Sequence, residues 1–505
     1  MSGAVSSALA AGTGLLSAVA YLRWWRVSQR EHYEPGRVLA IAALWTRTAW
    51  WNAAAGLVLV ALGVAGCWIT WLAPVTALAL LAWPLGLDLW HREKPLAWTP
   101  RVRRLAAITV VLHVVACVVL GYLGVVALVP LLVPFLADAA AGLAMPVERR
   151  ISERFVRQAQ ERIRQVAPAI VAITGSYGKT STKNYTAHLL AGTRSVVASP
   201  ASFNNRMGLS RAVNDRLRPG TEVFVAEMGT YGPGEIRNLC KLFPPAVSAI
   251  VTIGEAHLER MKTRETIVRA KSEITETAPV VVLNTDDPDL AALAGRLQQE
   301  KRVVGCSTRK GSGAEVAVVP EGADWIVLAD GEELGRVPAP HGGHPVNLAI
   351  AIGLTRALDV DWESILRRLK ELPSVAHRAE VARMGNGVAV IDDTYNSNPT
   401  GAAEALMTAR RLVGPGGRIY TITPGMVELG AHQDRRNAEF ARAATEKDDM
   451  VLAVVGRTNR AALARGADGR VEYFSGRAKA VQDIMARVRE GDVVLYENDL
   501  PDHYP

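Results

Sequence analysis

The sequence predicts an N-terminal α-helical transmembrane domain followed by an α/β part. In the latter, a central P-loop parallel-sheet domain precedes a C-terminal Rossmann-like α/β domain. Three observations lead there. Apolar segments long enough to cross a bilayer crowd into residues 1–145, where most of the twelve Trp also lie. A glycine loop carrying Lys179 and Thr180 follows a short apolar run at 169–173. Beyond it, strand and helix patterns alternate to the end of the chain, the signature of a parallel, doubly wound sheet.

Composition bounds the rest. At 505 residues there is room for about three or four domains. The reading places boundaries at 1–145 (membrane), 146–166 (linker helix), 167–375 (central domain) and 376–505 (C-terminal domain). Hydrophobic residues reach 49%, high for a soluble enzyme. The net charge of +8 comes from Arg and Lys beside apolar segments, which anchors a membrane protein better than it recruits nucleic acid. Four Cys without a C-x-x-C pair indicate neither a zinc site nor a disulfide framework, so the soluble part reads as cytoplasmic.

Five spans are expected, at 4–22, 53–72, 75–90, 105–122 and 124–145, the third following a break at Pro74 and the last interrupted by Pro130, Pro134 and Asp138. A cleaved signal peptide is disfavoured for the first, because no basic residues precede it and more apolar segments follow. Basic residues gather at Arg23, Arg26, Arg30 and Arg37, at Arg92, Lys94, Arg101, Arg103 and Arg104, and at Arg149, Arg150 and Arg154. The positive-inside rule then puts the N-terminus outside, and everything after 146 in the cytoplasm of a multi-pass plasma (inner) membrane protein. Residues 38–50 suit the interface. The charged stretch 147–166 reads as a linker helix, with a short coiled-coil seam as the alternative.

The central domain is organised around Thr174-Gly-Ser-Tyr-Gly-Lys-Thr-Ser181. Glycines let backbone N–H groups approach a phosphate, the helix N-terminus adds positive charge, Lys179 supplies a full cation, and the Thr180 hydroxyl can reach magnesium. Strands are expected at 195–198, 221–226, 246–252 and 280–283, and helices at 234–242, 263–276 and 289–300. Glu227 closes a buried apolar strand. A carboxylate there needs a metal or a salt bridge, and a nucleotide-binding sheet favours the metal. His257 alone reads as structural, but beside these groups as a metal ligand or phosphate contact. Lys271, taken by itself, is a solvated lysine. Residues 312–340 read as a β-rich flap, and Asn347 opens a helix where it can touch a base or sugar. In the last domain a strand ends in Asp392 and Asp393, followed by a polar loop with Asn396 and Asn398.

These motifs in order resemble the Mur ligase family of ATP-dependent amide-bond-forming enzymes, and within it the branch that adds D-alanyl-D-alanine to a UDP-muramoyl-tripeptide. The resemblance runs from about 167 to 495. Besides the glycine loop it is carried by Asn204-Asn205 with Gly208, Ala226-Glu-Met-Gly229, Pro233-Gly-Glu-Ile236, Gly254-Glu-Ala-His-Leu-Glu259 and Ala270-Lys-Ser-Glu-Ile274. Asn284-Thr-Asp-Asp287, His377-Arg-Ala-Glu380 and Asp392-Asp-Thr-Tyr-Asn-Ser-Asn-Pro399 complete it.

The resemblance implies that Gly175, Ser176, Gly178, Lys179, Thr180 and Ser181 hold ATP, with Asn347, Arg378 and Asp393 contacting the nucleotide. It implies two Mg2+, served by Thr180 and Glu227 and by His257, and a Lys271 that reacts with CO2 to give a carbamate helping to hold the second metal. Lys179, His257 and Lys271 are thus the implied catalytic groups, and Asn204, Asn205, Tyr395, Asn396 and Asn398 the implied substrate contacts. The partners implied are an amino acid or dipeptide amine and a carboxylate acceptor.

Two departures bear on that acceptor. A membrane domain stands where the family has a soluble uridine-nucleotide domain, and the tail 495–502 lacks a basic, glycine-containing ending. They point to an acceptor that is lipid-linked or a growing polymer at the bilayer. A poly-γ-glutamate or folate-type glutamate-adding ligase is the nearest alternative. A nucleotide-driven transporter or sensor, and a scaffold with an inactive ligase domain, stand further off.

Overall fold

The computed structural model describes residues 3–89, 95–255, 258–340, 343–373, 380–394, 398–500 and 503–505. The chain forms two compact units. One comprises Met1–Ile151 with Gly456–Thr458 and Leu500–Pro505, and the other Ser152–Val455 with Asn459–Asp499.

The first unit is helical. Among the described residues two helices are long and apolar enough to cross a membrane, Pro100–Tyr122 and Val126–Val166, with a third if Arg37–Thr48 and Trp50–Ala65, bent by 115°, count as one span. This corrects the expectation of five. The stretch 4–22 splits into Gly3–Val19 and Tyr21–Arg30, and the second turns Tyr21, Trp24 and Val27 into the core. Pro74 does not break a helix: it sits in the first turn of Leu72–Ala82, where a missing N–H removes no hydrogen bond. That helix is only 11 residues long and stops before Pro84, because proline disfavours α geometry in the residue preceding it. Helix Pro100–Tyr122 begins on a Thr99 cap whose hydroxyl accepts from Val102 N at 3.2 Å.

The expected fifth span and the linker are one helix, Val129–Val166, with Pro134 and Pro146 inside it. The buried Asp138 on this helix accepts from the backbone N–H groups of Gly36 (2.6 Å) and Val38 (3.1 Å), satisfying the open start of Arg37–Thr48. The last residues of the chain belong here too. His503 is buried with its Nε2 at 2.8 Å from Glu31 Oε1, and Trp45 Nε1 donates to the His503 carbonyl at 2.8 Å.

The second unit holds two sheets. The first contains β1 (Ala169–Thr174), β2 (Val196–Ala198), β3 (Val223–Glu227), β4 (Val247–Ile250), β5 (Val280–Asn284), β6 (Arg302–Ser307), β7 (Val316–Glu321), β8 (Asp324–Ala329) and β9 (Glu332–Pro338). Its order is β2-β3-β1-β4-β5-β6-β7-β8-β9, parallel through β7 and antiparallel for β7–β9. The expected flap is therefore an extension of the main sheet. Alternate residues of β1 enter two cores: Ile170 and Ala172 on one face, Val171 and Ile173 on the other. Burial on both faces explains the unbroken apolar runs of the central strands.

The second sheet contains β10 (Glu380–Arg383), β11 (Ala389–Asp393), β12 (Ile419–Thr423), β13 (Met450–Val455), β14 (Glu472–Phe474) and β15 (Val493–Glu497). Its order is β10-β11-β15-β12-β13-β14, with only β10 antiparallel among the described strands. The carboxyl ends of the parallel strands carry Asp393, Thr423 and Glu497.

Candidate active site

β1 delivers the glycine loop to helix Lys179–Leu190. Gly178 caps that helix at φ +80°, a conformation that favours glycine. A β-carbon there would lie 2.2 Å from Asn347 Oδ1, so glycine also lets Asn347 close against the loop. Ser176 Oγ donates to Gly254 O (3.1 Å) and accepts from Gly254 N (2.9 Å), while Tyr177 N donates to Thr252 Oγ1 (3.0 Å). The loop is thus pinned to the segment following β4, which continues to Glu255 and on toward His257. Ser181 is buried in the first helical turn.

Lys179 Nζ donates to the carbonyls of Gly175 (2.7 Å) and Ser176 (3.3 Å), curling over the loop it serves. The parallel register pairs Ile173 with Glu227 and so sets the carboxylate beside the loop. Glu227 is 3% exposed. Its Oε2 accepts from Thr180 Oγ1 (2.9 Å) and Lys183 Nζ (3.2 Å), and its Oε1 from Asn204 Nδ2 (3.5 Å). Burial pushes the Glu227 carboxyl up, but Lys183, Lys179 and the Thr180 hydroxyl outweigh it and hold it below its ordinary value. The group is an anion at neutral pH.

Lys271 lies in the last turn of helix Arg264–Ser272 and is buried, not solvated as its sequence setting suggests. Burial first, and the charge of Lys179 second, hold its ammonium well below the ordinary lysine value. Such a lysine favours the neutral amine, a nucleophile.

Other expected contacts divide. Asn347 is buried against Gly178, and Asp393 ends β11 half-buried. Two expected substrate residues have local roles: Asn205 accepts from Gly208 N and Asn398 from Gly401 N, each at 2.9 Å, capping the helices that follow. His257, Arg378, Tyr395 and Asn396 lie outside the described residues.

Sequence reasoning passed over several groups. Lys183 lies four residues after Lys179, a spacing that puts both on one helix face. Glu497 is buried at the end of β15, where Thr423 Oγ1 donates to it. Glu255 pairs with Arg436, and His344 Nε2 lies 2.9 Å from Glu404 Oε2, so contacts tie the first sheet domain to the second.

The residues present suit a magnesium nucleotide. A buried anionic carboxylate and a hydroxyl stand beside a glycine-cradled loop, and magnesium prefers one or two oxygen ligands plus phosphates over an all-protein cage. Among the described residues no group of three His, Cys, Asp or Glu is assembled for a metal.

Much of the chain matches known proteins. Residues 173–343 match the Mur ligase middle domain and residues 377–496 the Mur ligase, glutamate ligase domain. The UDP-N-acetylmuramoyl-tripeptide–D-alanyl-D-alanine ligase of Mycobacterium leprae is 32% identical over 368 residues, covering 65% of this chain and 70% of the relative. The Bacillus subtilis enzyme of that name is 26% identical over 349 residues, covering 67% and 75%. The crystal structure of MurF ligase from Thermotoga maritima in complex with ADP superposes with a TM-score of 0.59 at 27% identity, covering 69% of this chain and 80% of that one. The chain belongs to the Mur ligase family, the ATP- and Mg2+-using ligases that form carbon–nitrogen bonds in peptidoglycan synthesis.

Proposed function

We propose that this protein is a membrane-anchored amide ligase that activates a carboxylate of a cell-envelope precursor as an acyl phosphate and transfers it to an amino acid or dipeptide, D-alanyl-D-alanine foremost. The observation that carries the reading is the Thr180–Glu227 contact at 2.9 Å beside the Lys179 loop, and the burial of Lys271 supports it.

The chemistry follows from those groups. A carboxylate oxygen of the acceptor attacks the γ-phosphorus of ATP, and the bond to the β–γ bridging oxygen breaks, giving acyl phosphate and ADP. Lys179 and the loop N–H groups stabilise the charge on the transferring phosphoryl group. Thr180 and Glu227 would hold Mg2+, which neutralises phosphate charge. The neutral amine of Lys271 adds to CO2 and sheds a proton, leaving a carbamate that would serve, with His257, a second magnesium. The incoming amine then attacks the acyl carbon, phosphate leaves, and the amine's protons pass to solvent. Nucleotide contacts are assigned to Asp393 and Arg378, and substrate contacts to Asn204, Tyr395, Asn396 and Asn398, as the family resemblance implies.

The anchor is read from helices Pro100–Tyr122 and Val126–Val166. Val111, Val115, Val118 and Tyr122 on the first, and Phe135 and Leu143 on the second, are exposed large apolar residues. Exposed apolar faces of this kind mark a lipid or partner surface. Arg101, Arg103 and Arg104 at one end, with Arg149, Arg150 and Arg154 after the other, support a cytoplasmic catalytic part. An anchored ligase suits an acceptor at the bilayer. A ligase assay on detergent-solubilised protein, comparing polyprenyl-linked with UDP-linked muramoyl-peptide acceptors, tests this. Preference for the lipid-linked form is expected, and exclusive use of the UDP form refutes the lipid-linked acceptor while leaving the ligase reading intact.

A further inference from the structure

Two lysines rise from one face of helix Lys179–Leu190. Lys179 serves the loop. Lys183, 2% exposed, serves Glu227, with Nζ 3.2 Å from the same Oε2 that accepts the Thr180 hydroxyl at 2.9 Å. Glu227 and Thr180 are the two groups proposed above to hold the metal. The oxygen therefore already accepts from the lysine ammonium and from a hydroxyl. A buried carboxylate without such a partner is strongly destabilised, and the same cation repels any second cation brought to that oxygen. Asn204 holds the other oxygen, and Ser199 Oγ accepts from Glu227 N at 3.1 Å, so the carboxylate is fixed from both sides.

We infer that Lys183 is a positioning residue that holds the Glu227 carboxylate aimed, and that it competes with the divalent cation for that carboxylate. The protein alone then binds the metal weakly. ATP or ADP, whose phosphates bring negative charge to the loop, tips the balance, so that metal and nucleotide are taken up together. This inference rests on the magnesium role proposed above for Glu227.

Mn2+ titrations of the full-length, detergent-solubilised protein, followed by the electron paramagnetic resonance of free Mn2+, test it with and without ADP. Lys183→Gln, which removes the charge but keeps a donor, should bind Mn2+ at least tenfold more tightly than wild type in the absence of nucleotide. The gain in Mn2+ affinity on adding ADP should shrink by a similar factor, and Lys183→Arg should behave as wild type. A purely structural lysine would lower thermal stability without tightening metal binding. Should Lys183→Gln not fold, Lys183→Met, closer in volume, serves for the same comparison. Unchanged or weaker Mn2+ affinity in the neutral variants, while Glu227→Gln abolishes binding, overturns the inference and leaves the ligase reading standing. Absence of ADP-linked Mn2+ binding in wild type overturns both.

Discussion

Glu255 and Arg436 form a two-pronged ion pair, with Nε 2.7 Å from Oε2, that fastens the segment after β4 to helix Gln433–Ala444 of the C-terminal sheet domain. Glu259 N donates to Glu428 O at 3.0 Å nearby. The pinned glycine loop, Gly254 and the Arg436 helix are thus one connected path. Arg436→Ala should lower kcat/KM about tenfold, about 1.4 kcal/mol. Stability should change little, because the two side chains are 30% and 24% exposed and such pairs contribute about 1 kcal/mol or less. The hydrogen bond from Arg436 holds the Glu255 carboxyl below its ordinary value. The latch is therefore present above the usual carboxylate range and lost as pH falls through the lowered value. Steady-state kinetics beside thermal unfolding separate the two effects.

Lys271→Ala should abolish most ligase activity, a loss on the order of a hundredfold or more, since general acid–base and metal-supporting groups contribute about that much. The wild-type protein in 13C-labelled bicarbonate should show a carbamate carbon resonance that Lys271→Ala lacks. A fully active Lys271→Ala variant without that resonance difference refutes the carbamate role.

Gly178→Ala should impair nucleotide binding more than it impairs folding. The φ of +80° disfavours alanine by about 1 kcal/mol, and the new methyl would meet Asn347 Oδ1. The affinity for ADP should fall at least tenfold by calorimetry. Pairing it with Asn347→Ala, which opens the space, should recover part of the folding loss, as residues in contact do in a double-mutant cycle.

Acid should loosen the helical unit through Glu31. Burial raises its carboxyl, but hydrogen bonds from His503 and Arg37 prevail and hold it at about 2, against 4.5 for the free group. A depressed carboxyl contributes stability that is complete above about pH 4.5 and disappears as pH falls toward 2, on the order of 3 kcal/mol. His503→Ala should remove part of that dependence, read as a smaller drop in unfolding temperature between pH 6 and pH 3. An unchanged pH profile would show that the His503–Glu31 contact at 2.8 Å contributes nothing.

Much of the ligase part was legible because its signals are local. The β-branched runs of β1, β3 and β5, each ended by a turn or a polar residue, announce buried parallel strands, and the spacing from Gly175 to Thr180 announces the phosphate loop. Lys271 was not legible from its own neighbours Arg269 and Ser272. Only the packing of its helix against the sheet core buries it, and only burial makes it a free amine. Lys183 was missed for a related reason: its partner Glu227 is 44 positions away, brought near by strand order. In the helical unit, hydropathy marked where apolar residues lie but not where helices end. Trp83-Pro84 and the inward turn at Tyr21 shorten two expected spans. Asp138, read as an interruption, is a cap for another helix.

The central claim is tested most directly by measuring ADP and amide product together in one reaction. Detergent-solubilised protein with ATP, Mg2+, D-alanyl-D-alanine and a muramoyl-tripeptide acceptor should release one ADP per amide formed, identified by mass spectrometry. Omitting either the carboxylate or the amine should stop amide formation. ATP turnover that proceeds at the same rate without both substrates, and yields no amide, would contradict the account.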